Sequence, residues 1–391
     1  MGRPVRYGGE FKGFNERSNY VASIAADALA PMVVEESASF ERRIEREPHG
    51  VVFVIAPWNY PYMTAINTVA PALMAGNTVV IKHASQTLLV GERLVRAFVE
   101  AGVPEDVFVN LFLDHDTTSA LIAAGKFNFI NFTGSVEAGR SIERAAAGTF
   151  TGLGLELGGK DPGYVMEDAD LDRAVAGAIA GMRFTRQGQS CTAASRIFVH
   201  DSVHDEFVGR LKARVDAMKM GDPLDEATDI GTIVSPQQFE KVNSYIELGT
   251  ATPGATAHAC SAMPDDPKLA KGLFVRPVIF TGLGNDSRLA REEIFGPVTC
   301  IIRFTDYDSA IEQANDSEYG LAATIWTRDL RTALDATQRL EAGFVQVNQN
   351  LVVQPGLSYG GVKQSGLGKE ASLEAMLEHF THKKTIILNM G

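Results

Sequence analysis

The sequence predicts an α/β protein with parallel sheets, arranged as two successive units. Three observations lead there. Short continuous apolar runs such as Val51-Val52-Phe53-Val54-Ile55 and Thr78-Val79-Val80-Ile81 alternate with longer stretches of helical period, the pattern of strands buried on both faces. The same alternation restarts beyond about Gly159. With 391 residues, 45% hydrophobic and 21% charged, the chain can bury more than one core and is not of disordered composition.

After a polar opening, Asn19 to Val34 reads as an amphipathic helix and Phe40 to Glu47 as an exposed strand of alternating apolar and charged residues. Val51–Ile55 is a buried strand ended by Pro57. A helix to Ala75, a Gly76-Asn77 turn and a strand at Thr78–Ile81 follow. A helix at Leu88–Ala101, a strand at Val107–Leu113, a short helix at Ser119–Ala124 and a strand at Phe127–Phe132 complete a Rossmann-like, dinucleotide-binding pattern. In the second unit, strands are expected at 196–200, 273–280, 298–304, 321–326 and 343–348. Helices are expected near 170–185, 203–218, 236–248, 308–315 and 329–340. A helix at Glu370–His379 and an apolar strand at Lys384–Leu388 close the chain. That last strand has no later partner in sequence, so it must pair with something distant, another subunit among the options.

The formal net charge of −12 argues against a nucleic-acid partner, since phosphate binding needs a basic surface. Apolar stretches are interrupted well before membrane-spanning length. Three widely spaced cysteines, Cys191, Cys260 and Cys300, suit a reducing cytosol better than a disulfide framework. Cys300 lies in the apolar run Val298–Ile302 and reads as core. His200 and His204 straddle a strand end and a helix start and are not read as a metal site; no metal is expected.

Four short stretches carry chemistry. Gly188-Gln189-Ser190-Cys191 sets a cysteine between a helix and a strand, where backbone N–H groups can hold an anion; a lone cysteine is as often core filler. Pro57-Trp58-Asn59-Tyr60-Pro61 follows a strand end, and its Pro-bracketed turn can aim the Asn59 amide at developing negative charge. Phe132-Thr133-Gly134-Ser135, with Gly139 further on, opens a helix whose N-terminus favours a pyrophosphate. Glu156-Leu157-Gly158-Gly159-Lys160 places a carboxylate that can act as a general base if buried.

Together with Glu292-Glu293-Ile294-Phe295-Gly296-Pro297 and Gly360-Gly361-Val362-Lys363-Gln364-Ser365-Gly366-Leu367-Gly368-Lys369-Glu370, these are six motifs in one order. Over essentially its whole length the chain resembles the aldehyde dehydrogenase superfamily. The resemblance implies NAD(P)-dependent oxidation of an aldehyde, semialdehydes included, to its acid. It implies Cys191 as nucleophile, the Asn59 side chain and the Cys191 N–H as oxyanion donors, Glu156 as activator of the hydrolytic water, and Glu370 as a relay for its proton. It further implies that Lys82 holds the adenosine ribose, that Trp58, Gly134, Ser135, Gly139 and Leu157 line the cofactor, that Glu293 holds the nicotinamide ribose, and that Phe295 packs beside it. A homodimer or homotetramer, assembled through strands at 40–47 and 385–388, belongs to the same implication. The expected division is a cofactor domain over 1–160, with 30–48 as an oligomerisation segment, a catalytic domain over 161–350, and a return to the cofactor domain over 351–391.

The sequence departs from that family at three places. Ser85 stands where many NAD-dependent members carry a glutamate. A carboxylate there repels a 2′-phosphate, whereas a hydroxyl can donate to it. NADP is therefore expected to be accepted and favoured over NAD, unless Ser85 is merely neutral and both work. Thr68 stands where many members have a lysine. Met1-Gly2-Arg3-Pro4 resembles an interior stretch of the family, so an N-terminal segment that would pack on the cofactor domain is expected to be lacking. The alternatives are accordingly an inactive or structurally incomplete fragment, or a CoA-acylating relative that releases its thioester to CoA. Arg186 is a candidate contact for a substrate carboxylate.

Overall fold

The computed structural model describes residues 1–350 and 353–391. The chain divides into two compact units, one of Glu10–Leu157, Val353–Gly360 and Gly366–Gly391, the other of Met1–Gly9, Gly158–Val352 and Gly361–Ser365. The expected boundary at 351 falls on residues outside those described. Met1–Gly9 joins the second unit, where the Val5 N–H donates to the Pro223 carbonyl at 2.8 Å.

The first unit opens with α1 (Phe11–Ala28), β1 (Met32–Glu36) and β2 (Phe40–Pro48). The helix expected to Val34 stops early because Pro31 disfavours helical backbone at Ala30, and the β-branched Val33 and Val34 then enter a strand. The core elements are β3 (Val51–Ala56), α2 (Pro61–Met74), β4 (Thr78–His83), α3 (Leu88–Glu100), β5 (Phe108–Asn110), α4 (His115–Ala123), β6 (Phe129–Thr133), α5 (Val136–Ala146) and β7 (Gly152–Glu156). Strand β7 went unread in the sequence because alternating glycines dilute its apolar signal. On β3 the period of two is plain. Val52 and Val54 enter one buried cluster with Ile66, Val69 and Phe108, while Phe53 and Ile55 enter another with Ile130 and Phe132.

The second unit contains β8 (Pro162–Val165), α6 (Leu171–Met182), β9 (Arg196–His200), α7 (Asp201–Asp216), α8 (Pro236–Ala251), β10 (Thr256–Ala259), β11 (Val278–Thr281), the short α9 (Arg288–Arg291), β12 (Val298–Phe304), α10 (Tyr307–Asn315), β13 (Tyr319–Gly320), β14 (Ala322–Trp326), α11 (Leu330–Arg339), β15 (Phe344–Val347) and β16 (Val362–Lys363). The strand expected from 273 begins only at Val278, directly after Pro277, which has no N–H for a ladder. Its seven-stranded sheet has the order β10-β11-β12-β9-β8-β14-β15. All pairs are parallel except β10 with β11.

The chain then returns to the first unit with β17 (Gly366–Leu367), α12 (Leu373–Phe380) and β18 (Thr381–Asn389). The helix expected from Glu370 starts at Leu373, because Ser372 caps it through the Ala375 N–H at 3.2 Å. Glu370 sits instead in an extended bridge with Tyr359. The distant partner required for the last strand is β2 of the same chain, paired antiparallel from Thr381–Pro48 to Asn389–Phe40. The six-stranded sheet has the order β17-β7-β6-β3-β4-β5. The direction of winding reverses between β3 and β6, the kind of switch point at whose carboxyl ends open α/β sheets bind ligands.

Candidate active site

In the first unit, every sequence-predicted cofactor residue lies at or just beyond the carboxyl edge of the parallel strands. Trp58 and Asn59 follow β3. The Tyr60 N–H donates to Asn59 Oδ1 at 3.1 Å, which orients the amide and makes its NH2 the end that can donate to an anion. Lys82 is buried near the end of β4, and desolvation lowers its pKa against the pull of Asp114. Ser85 follows, exposed, and donates to Gln86 Oε1 at 3.2 Å. Gly134 comes after β6 and its N–H donates to the Glu156 carbonyl at 3.0 Å. Ser135 caps α5 through the Ala138 N–H at 3.3 Å. Gly139 is buried on that helix, so close to Leu157 that an added Cβ would meet its side chain at 2.7 Å.

Glu156 ends β7 and is 4% exposed. Desolvation first, then the charge of Glu370, raises its pKa well above the ordinary carboxylate range, opposed by Lys369. Its Oε1 has no hydrogen-bond partner among the described residues. Gly360 covers it: at φ 147° an added Cβ would lie 2.5 Å from that oxygen, so only glycine leaves the carboxyl its space. Glu370 is equally buried, but it accepts from Asn67 and Asn131. Thr68 is buried on α2, and its hydroxyl accepts from Asn131 Nδ2 at 2.8 Å. Sequence reasoning did not single out Asn67 or Asn131. The polar Asn131 inside the apolar run Phe129–Phe132 was the available signal.

In the second unit, three motifs meet at the amino edge of the seven-stranded sheet, because β12, β9 and β8 are parallel neighbours. Gly158–Lys160 leads towards β8, the cysteine turn precedes β9, and Glu293–Pro297 precedes β12. The Gly159 N–H donates to Glu293 Oε1 at 3.0 Å. Desolvation raises the Glu293 pKa, and that hydrogen bond opposes the rise. Lys241 and Gln238 hold the backbone of this stretch, Lys241 at the Glu293 carbonyl and Gln238 at those of Ile294 and Phe295, all at 2.9–3.0 Å. Phe295 itself has a left-handed backbone, φ 59°.

The cysteine turn is built by Gln187 and Gly188, both left-handed at φ 55° and 65°. A Cβ on Gly188 would stand 2.1 Å from the Gly296 carbonyl oxygen, so this turn excludes any larger residue. Gln187 Nε2 donates to the Gly2 carbonyl, Gln189 Nε2 to Gln187 Oε1, and the Val234 N–H to Gln189 Oε1, at 3.0–3.2 Å. Cys191 is the one residue from Gln187 to Val199 that is not buried. Buried Arg196 ties the neighbouring loop down, donating to the Lys160 and Ala314 carbonyls and to Asn285 Oδ1. Cys260 and Cys300 are buried. His200 caps α7, and His204 contacts Asp205 at 2.9 Å.

A family model described as the aldehyde dehydrogenase family matches residues 6–386. A betaine aldehyde dehydrogenase of Rhizobium johnstonii is 43% identical over 347 residues, 89% of this chain and 70% of that protein. A hydroxyisobutyraldehyde dehydrogenase of Mycolicibacterium austroafricanum is 41% identical over 347 residues, 88% of this chain and 68% of its own length. The NAD+ complex of an aldehyde dehydrogenase from Bacillus cereus superposes with a TM-score of 0.92 at 34% identity, covering 100% of this chain and 78% of that one. Among the described residues no helix is long and apolar enough to cross a membrane. The motifs and the fold thus lead to one family, and the chain belongs to the aldehyde dehydrogenases.

Proposed function

We propose that the protein oxidises a small aldehyde to its carboxylic acid through a thioester on Cys191, with NAD(P) as hydride acceptor. The observation that carries the hydrolytic half is the buried Glu156 carboxyl, whose pKa is raised by desolvation and whose Oε1 has no hydrogen-bond partner among the described residues. Such a group is suited to exchange a proton with a water molecule. Cys191 attacks the aldehyde carbon. The Asn59 NH2 and the Cys191 N–H donate to the oxyanion that develops. When bound, the nicotinamide cofactor supplies the hydride acceptor that turns the thiohemiacetal into a thioester. Glu156 then takes a proton from the water that releases the acid.

The residues present fit that cofactor. The Ser135-capped N-terminus of α5 suits a pyrophosphate, and Lys82 with Ser85 suits the adenosine ribose. Trp58, Gly134, Gly139 and Leu157 would line it, and Glu293 would hold the second ribose beside Phe295. The hydroxyl of Ser85, exposed and without a carboxylate charge, favours a 2′-phosphate. Small aldehydes are the class named for the two relatives above.

The test is steady-state oxidation of a panel of small aldehydes with each cofactor, with and without CoA. The expected products are the free acid and NADPH or NADH, with kcat/KM higher for NADP. Ser85→Glu should reverse that preference by about tenfold or more, since a carboxylate beside a phosphate dianion costs at least about 1.4 kcal/mol. Acyl-CoA as product would replace hydrolysis by transfer, and a much higher kcat/KM with NAD would end the Ser85 argument. Asn59→Ala should lower kcat by roughly a hundredfold or more, the usual loss of one oxyanion donor. A near-normal rate would take Asn59 out of the mechanism.

A further inference from the structure

Glu370 is held from two sides within the unit that carries Glu156. Its Oε2 accepts from Asn67 Nδ2 at 3.0 Å and its Oε1 from Asn131 Nδ2 at 2.8 Å. Asn67 Oδ1 in turn accepts from Arg17 Nη1 on α1 at 2.5 Å. An arginine can only donate and a carboxylate can only accept, so the Asn67 amide between them has one possible orientation. The result is a directed chain of cation, amide dipole and carboxylate, with Asn67, Asn131 and Glu370 all buried.

Glu156 has no comparable support. Its Oε1 has no partner among the described residues, and the Lys369 ammonium beside it is engaged by the Gly360 carbonyl. Two buried carboxyls that feel each other's charge share one proton before both can ionise. We propose that Arg17, acting through Asn67, is a positioning residue that keeps the negative charge of this pair on Glu370 and the proton on Glu156. Glu156 then has to ionise, its proton leaving to solvent, before it can take one from the hydrolytic water. In that step the water oxygen bonds to the thioester carbon, its proton goes to Glu156, the carbon–sulfur bond breaks and the thiolate leaves. No oxidant is needed. The inference rests on the reading of Glu156 as the water-activating carboxyl.

Other charges around the pair are few. Glu10, Glu16 and Tyr359 act on Arg17, and Lys369 acts on Glu156. Glu10 accepts from the Tyr62 and Met63 N–H groups at the start of α2. The groups that α2 and β6 present to Glu370 are Asn67, Thr68 and Asn131, all neutral.

The test follows NAD(P)H release by the full chain in rapid mixing across pH, separating the first-turnover burst from the slower hydrolysis phase. Glu370→Gln removes the like charge and should lower the pH midpoint of hydrolysis by about one unit or more. Arg17→Met should lower it in the same direction with the burst rate unchanged, because the proton then moves to Glu370 and Glu156 ionises earlier. Arg17→Lys should keep the wild-type midpoint. Asn67→Ala, which cuts the chain in its middle, gives a second reading in whichever variant retains the wild-type melting transition. A wild-type midpoint in Arg17→Met or Asn67→Ala, or in Glu370→Gln, overturns the proposal. An unchanged hydrolysis phase in Glu156→Gln strikes the reading of Glu156 itself, not the charge placement by Arg17.

Discussion

Cys191→Ala is expected to leave a folded chain that forms no thioester and shows no burst of NAD(P)H. Its turnover should fall roughly ten-thousandfold or more, the scale on which removal of a covalent nucleophile is felt. The turn around it is fixed by other residues: the left-handed Gln187 and Gly188, the Gln187–Gln189 amide chain, and the Gly188 approach to Gly296. Removing one partly buried thiol therefore disturbs little packing. The measurement is rapid-mixing absorbance beside a thermal melt with and without cofactor. A variant that still gives a stoichiometric burst would dismiss Cys191 as the nucleophile. A variant that no longer melts cooperatively would show instead that the thiol is structural.

Glu156→Gln should separate the two halves of the reaction. The burst should persist at one equivalent per site, and the following phase should slow by about a hundredfold to ten-thousandfold, the range for a lost general base. The pH dependence has a definite sign. Burial and Glu370 raise the Glu156 pKa, so at low pH the carboxyl is neutral and cannot accept a proton. Hydrolysis in the wild-type protein should then rise with pH through that raised value, well above where an exposed glutamate titrates. The Gln variant should lose this rise. An unchanged slow phase in Glu156→Gln would remove the carboxyl from water activation.

Strand positions were legible wherever an apolar run was uninterrupted, as at Val51–Ala56, Arg196–His200 and Val298–Phe304. They were not legible at Gly152–Glu156 or Pro162–Val165, where glycine and proline break the pattern that periodicity depends on. The candidate site residues could be named from the motifs because the order of those motifs is local to the sequence. Arg17 and Asn67 could not, because nothing local marks either, and Asn131 was marked only by its polarity inside the apolar run Phe129–Phe132.

The sequence by itself determined which segments are buried on both faces, which thiol and carboxylates can carry chemistry, and the family they resemble. Tertiary structure decided the rest. The order β12-β9-β8 sets Glu293 on the Gly159 N–H and brings three motifs to one sheet edge. The return strand β17 beside β7, pairing Gly366 with Glu156, brings the last motif back to the first unit, and α1 supplies the cation that reaches Glu370 through Asn67. Strand β18 finds β2 in its own chain. The physical reason is common to all of these. Local period sets which face of a strand or helix is buried, whereas strand order and register set which distant side chains meet.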